Sequence, residues 1–126
     1  QMYLFWCLIK LYVGIDHEFD DERGHATKLI ERMLFLEGTP DMTKRTGFKV
    51  GKDVPEMLES DLRVEYEVDA KLREVIALCE TEKDYVTRDM LIVLLDDTEM
   101  DHAHWLEQQL GLIKRLGIQN YLQSQM

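Results

Sequence analysis

Three stretches of the chain carry apolar residues at alternating spacings of three and four, and each interrupts that pattern with acids or imidazoles. The first reads Ile15, Glu18, Glu22, His25, Leu29, Met33, Leu36. The second reads Leu58, Leu62, Glu65, Leu72, Ile76, Cys79, with one position skipped, and the third Leu91, Leu95, Glu99, His102, Leu106, Leu110, Ile113. Such spacing is the inward stripe of an amphipathic helix. No run alternates with the period of two that a half-buried strand needs, so the pattern predicts an all-α protein. The first helix is expected over about residues 16–37, with Asp16 or an earlier residue as its cap and Asp20, Asp21 and Glu22 favouring its early turns. Gly38 reads as its C′ residue, and Pro40 follows as a stop. Residues 38–53 are polar and irregular, too long for a tight turn and long enough to cross from one end of a bundle to the other. The second helix should begin after Asp53, with Pro55 in its first turn, and run to Thr81 or Glu82. The third should run from Asp84 to about Leu116 and stop at Gly117, leaving residues 118–126 for a short last helix. The opening run Met2 to Ile9 is almost continuously apolar without a helical face; it reads as a buried turn or an interface segment and is too short to span a membrane.

The interruptions carry the chemistry. Glu22 and His25, and again Glu99 and His102, stand three residues apart, which on an α-helix places carboxylate and imidazole on one face. With 13 Glu and 4 His in 126 residues, chance alone gives about 0.4 such pairs. Two copies mean more because both fall on apolar stripes. A buried carboxylate is costly unless it is paired or bound to a metal. Glu-x-x-His from each of two helices, with a single Glu from each of two others, is how helical bundles hold a pair of iron or manganese ions. Glu65, on the second stripe, supplies one of those single glutamates. His104 falls off the stripe and reads as a non-ligand. Asp61, Asp69, Tyr66, Asp96 and Asp97 stand close enough in sequence to support the ligands, or equally to be solvated surface.

Composition narrows the field. At 126 residues the chain makes one domain, residues 1–126. Its 25 acidic against 15 basic residues leave no basic stripe for phosphates, which argues against nucleic acid as a partner. The same balance fits attraction of cations and, equally, simple solubility. The two cysteines, Cys7 and Cys79, make neither a disulfide framework nor a zinc spacing. A reduced, cytoplasmic setting is expected, with no membrane role. Gln1 is not an initiator methionine, so the domain is read as incomplete at its N-terminus.

From residue 17 onward the chain resembles the bacterioferritins, a branch of the ferritin family. The likeness is carried by Leu29-Ile30-Glu31-Arg32-Met33-Leu34-Phe35-Leu36-Glu37-Gly38-Thr39-Pro40, by Val54-Pro55-Glu56-Met57-Leu58-Glu59-Ser60-Asp61-Leu62, by Asp84-Tyr85-Val86-Thr87-Arg88-Asp89, by Trp105-Leu106-Glu107 and by Leu116-Gly117-Ile118-Gln119-Asn120-Tyr121-Leu122-Gln123. The resemblance implies a ferritin-like four-helix bundle with a long crossover loop and a short C-terminal helix, assembled into a hollow shell of about 24 subunits. It implies a ferroxidase that turns Fe(II) into Fe(III) at a di-iron centre and stores the mineral. Glu22 and Glu99 match the bridging carboxylates, His25 and His102 the terminal imidazoles, and Glu65 a terminal carboxylate. The remaining glutamate of the family's set lies on a first helix that is largely missing from this chain. His17 and Asp21 match residues facing the shell interior, where they would pass iron onward or stand as plain surface. At the position after the first bridging glutamate, where haem-binding members carry methionine, this chain has Arg23, which cannot ligate iron. Haem is thus expected only through a haem-bearing sister subunit in a mixed shell, and a ferredoxin-type reductant is expected for iron release. Two alternatives remain open: a structural shell subunit with an inactive site, and another di-iron bundle oxidase or peroxidase.

Overall fold

A computed structural model describes the backbone of residues 9–44, 47 and 50–126; the side chains of residues 9, 14 and 16–19 are outside the description. The described residues are helical or irregular, with no strand among them. The elements are α1 (Ile9–Phe35), α2 (Val54–Glu82), α3 (Tyr85–Asp97), a π-helical segment (Thr98–Ala103), α4 (His104–Leu116) and α5 (Ile118–Ser124). The expected all-α order of elements, with a long connection before α2 and a short last helix, is thus observed among the described residues. None of the described helices is long and apolar enough to cross a membrane. The chain falls into two compact units, Phe48–Leu112 and the combination of Gln1–Gly47 with Ile113–Met126.

In the unit Phe48–Leu112, the helix ends follow from local chemistry. Asp53 caps α2 by accepting the Glu56 amide at 2.9 Å, and Glu56 reaches back to the Lys52 amide at 3.0 Å. These bonds satisfy donors that a helix start leaves orphaned, and a proline in the first turn costs nothing there. Gly51 is required by crowding: a Cβ would overlap the backbone of Glu56 and Met57. At the far end Lys83 adopts a left-handed φ of 58°. The Asp84 amide donates to the Cys79 carbonyl at 2.9 Å and the Lys83 amide to Glu80 at 3.3 Å, a Schellman exit. Asp84 then caps α3 through the Thr87 amide at 3.1 Å. The stripe predicted for α2 is the buried one: Leu58, Leu72 and Cys79 are buried, and Leu62, Glu65 and Ile76 are half-buried. Leu91, Leu94, Thr98, Ala103 and Leu106 complete this core.

The third helical run spans 85–116 as expected, but six residues inside it, Thr98–Ala103, form wider π turns. A π turn closes on the fifth residue rather than the fourth, so each residue advances less around the axis and side chains three apart stand at a wider angle than in an α-helix. The second Glu-x-x-His pair lies inside this segment.

In the other unit, α1 begins at Ile9, earlier than the polar cluster at Asp16 indicated. The backbone amide of Lys10 donates to Gln125 at 3.4 Å, and its Nζ to the Ser124 carbonyl at 3.2 Å. Leu11 and Tyr121 are buried in this unit, and burial raises the Tyr121 phenol above its ordinary value. The start of α1 is therefore supported by the C-terminal segment, which a local reading does not see. At its other end, the left-handed residue is Glu37 (φ 61°) rather than Gly38. Gly38 follows one place later and donates to Met33 at 2.8 Å. The expectations placed on Met2 to Leu8, and on the side chains of Asp16, His17 and Glu18, lie outside the described residues.

Candidate metal centre

Among the described residues, each unit presents a buried imidazole beside a carboxylate. On α1, a regular α-helix at this point, Glu22 Oε1 lies 3.4 Å from His25 Nδ1. The imidazole is buried and the carboxylate is half exposed. This is the geometry that a three-residue spacing gives on one α-helical face.

The second unit pairs different partners. His102, 2% exposed, turns its Nδ1 to within 3.7 Å of Glu65 Oε2 on α2. That glutamate oxygen is fully buried and accepts no hydrogen bond among the described residues. A buried carboxylate oxygen in this condition costs free energy that a cation would recover. Its charge is also felt one turn away: burial, and next the charge of Glu65, raise the Asp61 carboxyl above its ordinary value.

Glu99 does not join His102. Its side chain is 43% exposed and accepts a hydrogen bond from Arg73 Nη2 on α2. Arg73 also forks onto Asp69, with Nε to Oδ1 at 2.8 Å and Nη2 to Oδ2 at 3.2 Å. Glu99 and Asp69 line a cavity of about 430 Å³ with Tyr66, Met100, His104 and Glu107. Across it the Tyr66 hydroxyl donates to Glu107 Oε1 at 2.5 Å, and that bond holds the phenol above its ordinary value. His104 stays off the stripe, exposed, with Nε2 2.9 Å from the Gln108 amide.

Within this unit, then, Glu65 and His102 are brought together and Glu99 is directed elsewhere. The wide π turn accounts for the divergence, since it separates Glu99 from His102 around the axis. The residue missed by the sequence reading is Arg73. The available signal was its place four residues after Asp69 and eight after Glu65, two turns along the same side of α2.

The donor set is carboxylate oxygen and imidazole nitrogen, the types that suit iron and manganese rather than soft metals. Together with the buried, unsatisfied oxygen of Glu65, it fits a cation of that class.

The description "Ferritin-like domain" of the ferritin family matches residues 5–116. A "Bacterial ferritin" of Synechocystis is 60% identical over 126 residues, covering 100% of this chain and 81% of the relative. A "Bacterial ferritin" of Pseudomonas aeruginosa is 54% identical over 125 residues, covering 99% and 80%. A "Bacterioferritin" of Brucella melitensis is 36% identical over 116 residues, covering 92% and 71%. With the family match covering most of its length, the chain belongs to the ferritin family.

Proposed function

We propose that this chain is a bacterioferritin-type iron storage subunit with ferroxidase activity, working in the cytoplasm within a multi-subunit shell. In this reading Glu65 and His102 hold one metal ion, with Glu22 as a further ligand. His25 and Glu99 extend the set to two ions, with Glu22 and Glu99 bridging. The observation that carries the reading is the buried Glu65 oxygen facing His102, an arrangement that is unfavourable without a cation. Two bound Fe(II) ions would supply one electron each to dioxygen or peroxide. The protein's part is placement: Glu65 and His102 are held by a packed core, so little reorganisation is needed to receive a cation. Carboxylates that exchange between bridging and chelating modes let the site follow the rise in charge.

Arg23 lies on an exposed part of α1, and in this reading haem comes only from a sister subunit. The family's shell of 24 subunits, a mixed composition and a ferredoxin-type reductant belong to the same proposal, as does a single ferritin-like domain. The engagement of Glu99 by Arg73 favours one competitor, a structural shell subunit with an inactive site. Aerobic addition of Fe(II) separates the two. Fast oxidation, reduced at least about 100-fold in Glu99→Ala, supports the ferroxidase, since even residues that merely orient metal ligands cost 10–100-fold. Oxidation at the uncatalysed rate in both proteins rejects it.

A further inference from the structure

Arg73 stands in a position that the proposed chemistry does not use. Its guanidinium is anchored on the half-buried Asp69 by a two-point fork. From that anchor Nη2 reaches from α2 to the π segment and binds Glu99 Oε1. An arginine stays charged at any physiological pH, and its planar fork holds carboxylates in fixed geometry. Within its own unit, Glu99 is the member of the proposed ligand set that does not lie with Glu65 and His102. Its only partner among the described contacts is this guanidinium.

We propose that Arg73 is an internal counter-cation that holds Glu99 aside in the metal-free protein and releases it when a divalent cation enters. The inference rests on the metal-centre reading given above. The exchange is one cation for another on a single carboxylate. Released from Glu99, the guanidinium keeps its fork on Asp69, so the charge that is displaced remains paired. The cavity beside Glu99 gives the glutamate side chain room to turn. The π segment belongs to a class of helical irregularity found frequently at functional sites. The consequence is a threshold: Arg73 lowers the affinity for the first ions, and it keeps Glu99 neutralised when iron is scarce. Arg73 is a positioning residue, acting on the metal through Glu99.

Equilibrium titration with Co(II), which gives a visible spectrum and is not consumed by oxidation, tests this in the purified protein. Arg73→Gln is expected to bind Co(II) about twofold to fivefold more tightly, the range expected for loss of one partly exposed charged pair. Arg73→Lys, which retains the charge and loses the fork, should fall between. The gain should vanish in the Glu99→Gln background, which separates a clamp from long-range charge repulsion. Arg73 is more than half exposed, so these variants are expected to fold. Unchanged affinity in Arg73→Gln, with Co(II) binding still abolished by His102→Ala, overturns the clamp and leaves the metal centre standing. An equal gain with and without Glu99 also overturns the clamp. Failure of both the unmodified protein and Arg73→Gln to bind Co(II) overturns the clamp and the metal centre together.

Discussion

The two Glu-x-x-His pairs are written alike in sequence and built differently. On α1 the pair sits in a regular α-helix, and Glu22 and His25 face each other across one turn. In the π segment the same spacing is opened out: His102 goes inward to Glu65, and Glu99 goes outward to Arg73. Their surroundings differ as well. The stripe that carries Glu65 and the one that carries His102 are packed, with Leu58, Leu91, Leu94 and Leu106 buried. The α1 stripe leaves Ile15, Met33 and Leu36 exposed. A motif therefore fixes which residue types are available, and the helix geometry beneath it decides which partners they meet.

The packing difference gives the largest effect. Leu106 is 1% exposed and Leu36 is 53% exposed. Leu106→Ala should cost about 3 kcal/mol by denaturant unfolding of the metal-free protein, against less than about 0.5 kcal/mol for Leu36→Ala. Equal costs would break the comparison, and would mean that the α1 stripe is covered in the working protein.

The helix exits should behave alike in the two units. Glu37 and Lys83 both hold left-handed backbone, at φ 61° and 58°. Replacing either by glycine relieves the Cβ penalty and adds freedom to the unfolded chain. The net gain should be about 0.5 kcal/mol at each site in thermal unfolding. A gain at one and a loss at the other would show that one exit is held by its side chain.

The smallest effect is electrostatic and confined to the packed unit. The Asp61 carboxyl is raised above its ordinary 3.8 by burial and by Glu65. The folded state therefore binds this proton more tightly than the unfolded state does. Its contribution is fully present below about pH 3.8 and is lost as pH rises through the higher folded value. Asp61→Asn should remove that loss, gaining a few tenths of a kcal/mol near neutral pH, since the site is partly solvated and screened. Titration of unfolding free energy against pH, with and without the substitution, should show the two curves separating as pH rises. Parallel curves would contradict the assigned cause.

Much of this was legible in the chain itself. Asp53, Pro55 and the exit before Asp84 mark α2 because caps and turns are written in adjacent residues. Leu58, Leu72, Cys79, Leu91 and Leu106 were readable as core because burial follows period. The early start of α1 was not legible, since Lys10 and Leu11 are supported by the distant C-terminal segment. Glu37 in the left-handed place was missed because Gly38 beside it is the better local candidate. The π segment has no residue code of its own. Without it the separate fates of Glu99 and His102, and the role of Arg73, could not be read from spacing.

Anomalous diffraction at the iron edge, from crystals loaded with Fe(II) without oxygen, addresses the central claim most directly. The account predicts two peaks per chain, on the order of 3.5–4 Å apart, ligated by Glu22, His25, Glu65, Glu99 and His102, with Arg73 withdrawn from Glu99. No iron at Glu65 and His102, with Glu99 still bound to Arg73, would contradict it.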